Sequence, residues 1–228
     1  MLGEWRLRHA LPACYGRGQR AVVARMEDAY VLDLGLQTVV DGIVAPRRLL
    51  DHPFYMRWSR GELTGDELRA YASQYRHFEA HLPSILERAA TVAEDPGLRA
   101  AALRNLADEA AAGRAHLDVF DVFLAGIDAT VEAPTPAMDA LLDNYDQQLS
   151  ASAARGLAAV LAYECQSAEV ARSKAAGLRD HYGLENDAVE FWDVHAGVDA
   201  DHAAWLTDAL SATDIPELEG ALRERGSS

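Results

Sequence analysis

Cysteine is scarce in this chain of 228 residues. Cys14 and Cys165 are its only cysteines, and they lie far apart without forming a CxxC pair. A disulfide framework is therefore not indicated, and we expect a reducing, cytoplasmic environment. The first 20 residues lack the continuous apolar region of a signal peptide. No run of about 18 apolar residues occurs, so we expect no membrane span.

Basic residues are also few relative to acids. The chain has 36 aspartates and glutamates against 21 lysines and arginines, and its formal net charge is −15 at pH 7. Such an acidic surface disfavours nucleic acid and anionic membranes as partners. Half of the residues are hydrophobic, which excludes an intrinsically disordered protein. We predict one domain over residues 1–228, with an irregular arm over residues 1–23.

Strand-like alternation of apolar and polar residues is missing, and apolar residues recur at helical spacing. We therefore predict an all-α fold, a bundle of about seven helices. The first helix is expected over residues 26–44. The second follows the capping box of Thr64 and Glu67. Pro83 lies inside this second helix and is expected to kink or split it.

Prolines at helix starts and a glycine at a helix end mark the remaining helices. We predict helices from Pro96 to near Gly126, from Pro136, over residues 154–181, over residues 187–210, and briefly after Pro216. Gly183 closes the helix over residues 154–181.

Three predicted helices carry acids and histidines at spacings that bring them to common faces. The candidates are Glu109, His116, Glu164, His195, Asp199 and His202. Glu109 and His116 are seven residues apart, and the last three follow an i, i+4, i+7 pattern. A helix returns to nearly the same face after seven residues, so each group forms a stripe.

Each of these residues alone would be unremarkable, as a solvated acid or a core histidine. Together they are three carboxylates and three imidazoles facing the inside of a bundle, which suits a pair of iron or manganese ions. Glu164 lies in an apolar stretch where an unpaired carboxylate would be costly. We therefore interpret the six as a dimetal site and expect an O2-dependent oxidoreductase.

Other residues invite weaker interpretations. His77 and His81 have a zinc-like spacing but no evident third ligand, so we interpret them as pocket or surface residues. Cys165 is interpreted as a buried structural thiol. On an unbroken helix, Glu109 and His116 would be about 10 Å apart along the axis. Gly113 lies between them, and we expect that segment to bend and to become ordered only when metal binds.

The spacing of the six candidate ligands resembles that of the haem-oxygenase-like diiron oxidases, a helical family related in fold to haem oxygenase, TenA and PqqC. The similarity is greatest to the CADD-like branch, which includes para-aminobenzoate synthases. It runs from about His52 to Leu210 and includes residues 52–58, 61–64, 163–166, Lys174, 177–178 and 182–183.

The resemblance implies a biosynthetic, non-haem diiron enzyme. Such an enzyme would use two Fe(II) ions, O2 as co-substrate and an external electron donor, and would oxidise a small substrate through a peroxo-diiron intermediate. Iron is implied by the resemblance alone, because the ligand types suit manganese as well.

In the para-aminobenzoate synthase branch, the resemblance implies that the enzyme consumes one of its own tyrosines, with a lysine as amino donor. Tyr55, Tyr71 and Lys174 match those positions, and Tyr163 is a further pocket candidate.

The chain departs from that branch at Ala110, where a carboxylate would be expected, and around Arg76, His77 and His81. Either Arg76 or Arg172 could clamp a substrate carboxylate. We therefore favour an added amino-acid-type substrate, oxidised by desaturation, strained-ring formation, or C–C or C–N oxidation. A self-sacrificing para-aminobenzoate synthase and a metal-free TenA-like or PqqC-like protein, with Cys165 as nucleophile, stay open. A homodimer is an open alternative that no residue pattern supports.

Overall fold

The structure is a computed structural model that describes residues 38–110 and 115–211, together with Leu36 and Thr213. The predicted arm, most of the predicted first helix and the helix predicted after Pro216 lie outside the described residues. The described part of the chain is helical and contains no strand, which confirms the all-α prediction. The single domain over residues 1–228 stays a prediction.

Seven helices follow a short helical stretch at residues 38–44 in the part of the chain that the structure describes. They are α1 (Pro53–Ser59), α2 (Gly65–Val92), α3 (Pro96–Glu109), α4 (His116–Gly126), α5 (Pro136–Ala151), α6 (Ala153–Tyr182) and α7 (Glu190–Leu210). Short 3-10 turns precede α1 and α7. None of these helices combines the length and the apolar character that crossing a bilayer requires.

The helix starts follow the capping residues in the sequence. Thr64 accepts a hydrogen bond from the Glu67 amide, while the Glu67 side chain accepts one from the Thr64 amide, so the predicted capping box is present. Gly183 closes α6 with a φ of 66°, which glycine adopts without strain. Pro83 does not split α2, which continues as one helix to Val92.

The single helix predicted from Pro96 to near Gly126 is instead two helices, and the interruption falls on the segment that was expected to bend. Helix α3 ends at Glu109 and α4 begins at His116. The break lets the two side chains meet, because His116 Nδ1 lies 2.9 Å from Glu109 Oε2. A continuous helix would hold them about two turns apart. Gly113, to which we assigned the bend, lies outside the described residues.

Helix α6 lies at the centre of the bundle and packs most extensively against α7. Helix α1 reaches α6 at Gly177, where a Cβ atom would lie 2.7 Å from Trp58 Cδ1. The missing side chain therefore permits the close approach of Trp58. The Trp58 indole donates a hydrogen bond of 3.1 Å to the Lys174 carbonyl, which fixes α1 against this segment of α6.

Candidate metal centre

The structure brings all six predicted metal ligands together in the interior. Glu109 ends α3, His116 begins α4, Glu164 lies on α6, and the remaining three lie on α7. None of the six is more than 6 % exposed. Six polar side chains buried in one place require either mutual pairing or a bound cation, since an unpaired buried charge is costly.

Their ligand atoms form two groups that share one residue. Glu109, His116 and His195 make one group, and Glu109, Glu164 and His202 make the other, with ligand atoms within 4.8 Å of one another in each. A carboxylate has two oxygens, so Glu109 can contribute to both groups. The arrangement could therefore hold two ions side by side.

The orientation of His202 is set by its hydrogen bond to Asp108. His202 Nε2 lies 3.2 Å from Asp108 Oδ2. An ionised carboxylate only accepts, so Nε2 carries the proton and Nδ1 carries the lone pair. That lone pair faces Glu109 Oε1 at 3.8 Å, and Glu164 Oε2 and Asp199 Oδ1 at 4.0 Å.

His195 has a comparable anchor in the main chain. Its Nδ1 lies 2.8 Å from the Phe191 carbonyl oxygen, so Nδ1 donates and Nε2 remains as the ligand atom. Its ring lies 4.5 Å from that of His116, centroid to centroid. Both imidazoles therefore converge on the region around Glu109.

Asp199 supplies the test of whether a cation fits. Its side chain is 1 % exposed, and neither of its oxygens has a hydrogen-bond partner in the described part of the chain. The same is true of His202 Nδ1. Buried carboxylate oxygens opposite an imidazole lone pair repel one another unless a cation or protons lie among them. The donor set therefore fits metal ions.

Without metal, the cluster retains protons. Burial raises the pKa of Asp199 to about 7. Burial raises the pKa of Glu164 well above its ordinary value, and the charges of Asp199 and Glu109 raise it further. Burial and the neighbouring His116 lower the pKa of His195 to about 4. Metal binding would displace the protons on the acids.

These shifts predict a pH dependence for the metal-free protein. The pKa of Asp199 is about 7 in the folded protein, against an ordinary value of 3.8. The protonated carboxyl therefore stabilises the folded state fully below pH 4, and this stabilisation is lost as the pH rises to 7. Asp199→Asn should remove that loss. In the presence of a chelator, the unfolding free energy of Asp199→Asn minus that of the parent should grow between pH 4 and 7, by up to about 1.4 kcal/mol per pH unit.

Denaturant unfolding at several pH values measures that difference. The contribution of His195 to the pH dependence of stability has the opposite sign, and it cancels because both proteins contain His195. Asp201→Asn serves as the control, because Asp201 is exposed on the same helix. A difference between Asp199→Asn and the parent that stays constant from pH 4 to 7 would contradict the prediction.

A second buried cluster surrounds Lys174. Its side chain is 2 % exposed, and its Nζ donates a hydrogen bond to the Tyr71 hydroxyl. The rings of Trp192, Tyr71 and Tyr75 have centroids 4.1, 4.7 and 4.7 Å from Nζ, and that of Tyr55 lies at 5.2 Å. Burial lowers the pKa of Lys174 well below 10.5, which favours the neutral, nucleophilic amine.

A cavity of about 780 Å³ opens beside this lysine cluster. Tyr55, Tyr71 and Tyr163, all predicted from the sequence, line it together with Tyr75. The hydroxyls of Tyr75 and Tyr163 are hydrogen-bonded to each other. Tyr163 immediately precedes Glu164 in α6, so the cavity wall and the candidate metal centre lie on the same helix turn.

Three residues predicted for the pocket lie elsewhere. Arg76 forms a two-pronged ion pair with Asp121 at 2.6 and 2.9 Å. Arg172 donates to the Ala196 carbonyl, and His81 contacts Asp146. None of the three lines the cavity, so a carboxylate clamp by Arg76 or Arg172 stays a prediction without support from this cavity.

Cys165 was predicted to be buried and is instead exposed. It follows Glu164 by one residue, which turns its thiol about 100° away from the ligand face. It does not line the cavity. The metal-free alternative needs Cys165 as a nucleophile in the cavity, and the exposed position of Cys165 does not support that role.

Sequence reasoning missed two features of the site, Asp108 and Glu79. Asp108 carried no prediction. Glu79 is 3 % exposed. Burial raises its pKa, and the charges of Glu109 and Asp199 raise it further. Glu79 lies eight residues after Tyr71 and four after Tyr75, and that helical spacing could have revealed it. Lys174, which the resemblance had already indicated, is also the only lysine of the chain, against 20 arginines.

Comparisons with known proteins agree with this site. The profile of the family described as iron-containing redox enzyme matches residues 69–224. The chain is 31% identical over 195 residues to a 4-aminobenzoate synthase of Chlamydia muridarum, covering 81% of this chain and 83% of that protein. It is 25% identical over 193 residues to a 4-chloro-allylglycine synthase of Streptantibioticus cattleyicolor, covering 79% and 74%.

The fold has a counterpart among solved structures. A TenA homologue of Pseudomonas syringae has a TM-score of 0.71 at 18% identity, covering 84% of this chain and 88% of that one. This likeness confirms the predicted TenA-like helical fold. Because the family profile matches more than half of the chain and the synthase relative exceeds 30% identity, this chain belongs to the family of iron-containing redox enzymes and is an oxidoreductase.

Proposed function

We propose that this enzyme uses two iron ions. Glu109 would be shared by both, with His116 and His195 completing one position and Glu164 and His202 the other. Asp199 would join the second position, because its unpartnered oxygen lies 4.0 Å from His202 Nδ1. When bound, two Fe(II) ions would supply the reduction of O2 with electrons from an external donor.

We propose further that the enzyme makes 4-aminobenzoate, the product for which the Chlamydia relative is named. The observation that carries this proposal is the buried amine of Lys174 on the Tyr71 hydroxyl. The Tyr55 ring lies close by, with its centroid 5.2 Å from Lys174 Nζ. An aromatic ring and an amino nitrogen, two of the three components of 4-aminobenzoate, are thus adjacent on the protein itself; the third is the carboxylate.

Each residue of this cluster has a role in the proposed reaction. Tyr55 or Tyr71 would supply the aromatic ring, and Lys174 would supply the nitrogen that replaces the phenolic oxygen, which would leave as water. O2 would be the oxidant for cleavage of the tyrosine Cα–Cβ bond, with Cβ becoming the carboxylate, and for cleavage of the Lys174 Cε–N bond. The surrounding rings of Trp192 and Tyr75 exclude water, which keeps the amine unprotonated and nucleophilic. The hydroxyl of Tyr71, as the acceptor from Nζ, orients the amine toward the ring.

Mass spectrometry of the protein tests this proposal. After anaerobic Fe(II) loading and exposure to O2 and reductant, we expect a loss of side-chain mass in the peptide that contains Tyr55 or in the one that contains Tyr71, and no more than one 4-aminobenzoate per chain. Replacing the consumed tyrosine with phenylalanine should reduce product below detection, because phenylalanine lacks the phenolic oxygen.

Tyr182→Phe is the matched control, since the Tyr182 hydroxyl only accepts a hydrogen bond from the Leu63 amide. It should form product as the parent does. Intact tyrosines after product formation would contradict the self-sacrificing reaction.

An added amino-acid-type substrate is the second candidate, and the cavity beside the tyrosines favours it. At about 780 Å³ it has room for such a molecule, and the Streptantibioticus relative is named for making an amino acid. This function predicts many turnovers per chain and an unchanged protein mass. The measurement above therefore separates the two candidates.

A further inference from the structure

We propose that Asp108 is a positioning residue that sets the metal affinity of one of the two ion positions and leaves the other unaffected. The inference rests on the proposed two-iron site. Asp108 touches no ligand atom of that site; it contacts the opposite nitrogen of the His202 ring, at 3.2 Å. It would act by holding that ring in the orientation and tautomer that ligation requires.

The geometry around His202 gives Asp108 this role. The ring is completely buried, and its Nδ1 has no hydrogen-bond partner in the described residues. The bond to Asp108 is therefore the polar contact that distinguishes one ring nitrogen from the other. A ring flipped by 180°, or its other tautomer, would point an N–H or a carbon atom at the carboxylates of Glu109 and Glu164.

The surroundings of the ring on its other side are aromatic. The His202 and Trp205 ring centroids are 5.5 Å apart, and the Arg104 guanidinium lies 3.7 Å over the Trp205 ring. These contacts restrict the ring sterically, but they do not select a tautomer. Asp108 also directly precedes Glu109, so one helix end carries both the shared ligand and the anchor of His202.

The two ion positions differ in how their histidines are held. His195 is anchored by the Phe191 carbonyl, which a side-chain substitution leaves in place. His116 contacts the shared ligand Glu109. Among the described residues, only His202 depends on a side-chain anchor that is not itself a candidate ligand. Loss of Asp108 should therefore weaken one ion and spare the other.

Anaerobic Fe(II) titration against a competing chelator tests this selectivity. In Asp108→Ala we expect one of the two ions to bind about 10- to 100-fold more weakly and the other to bind as in the parent, so the titration becomes biphasic. Asp108→Asn should give a smaller effect, because the amide oxygen still accepts from Nε2. Asp201→Ala, an exposed acid next to His202 in sequence, is the control.

The tautomer of His202 in metal-free protein is the second readout, and nitrogen NMR of 15N-labelled histidine reports it. We expect the Nε2–H form in the parent and a mixture in Asp108→Ala. Equal weakening of both ions, or unchanged affinity for both with an unchanged tautomer, would overturn the inference while leaving the two-iron site intact. A parent protein that binds no iron would overturn the proposed function as well.

Discussion

Replacing Glu109 with alanine is expected to eliminate iron binding at both positions, and enzymatic activity with it. Glu109 belongs to both groups of ligand atoms, so its removal takes one oxygen from each ion. It also leaves His116 without its 2.9 Å partner at the start of α4. No other single substitution among the six candidate ligands should have so large an effect on both positions.

The measurement is the iron content per chain after anaerobic loading and removal of unbound metal. We expect Glu109→Ala to retain essentially no iron. The metal-free variant should stay folded, because the substitution removes one of several mutually repelling buried acids. Glu87→Ala is the control, since Glu87 is exposed on α2. Retention of the parent's iron by Glu109→Ala would contradict the shared-ligand assignment.

Replacing Lys174 with methionine is expected to reduce 4-aminobenzoate formation below detection while iron content stays at the parent level. Methionine keeps the apolar stem in its aromatic surroundings but carries no nitrogen. Because burial disfavours the charged amine, the variant should be at least as stable as the parent. Liquid chromatography with mass detection quantifies the product, and circular dichroism checks the fold.

Lys174 also permits a direct isotope test, because it is the only lysine in the chain. Protein produced with lysine labelled at the side-chain nitrogen carries the label at that one amine. We expect 4-aminobenzoate one mass unit heavier when formed by labelled protein. Unlabelled product, or product from Lys174→Met at the parent level, would show that the nitrogen comes from elsewhere.

The helix starts were predictable because their signals are local. These signals act through backbone groups within one helical turn. They are Thr64 with Glu67, and Pro96 and Pro136 at first helical positions. The break between α3 and α4 was not predictable from propensity, since alanine-rich residues favour helix. It follows from convergence of Glu109 and His116 on one point, which is a tertiary requirement.

The residues of the candidate site also divide into those that local spacing predicts and those that depend on tertiary contacts. Among the six candidate metal ligands, His195, Asp199 and His202 could be grouped because helical spacing places them on one face of α7. Glu109 and His116 instead meet across the break between α3 and α4.

The surroundings of Arg76 could not be predicted, because its partner Asp121 lies 45 residues away on another helix. Asp108 was missed for a related reason: its significance depends on the far nitrogen of His202, 94 residues later in the chain.

Buried acids and imidazoles from four helices are proposed to hold two iron ions, and the iron-to-protein ratio of the parent protein is the decisive measurement of that proposal. After anaerobic loading with Fe(II) and desalting, we predict two irons per chain, with Glu164→Ala losing at least one of them. A ratio well below two in the parent, together with the same ratio in Glu164→Ala, would contradict the proposal.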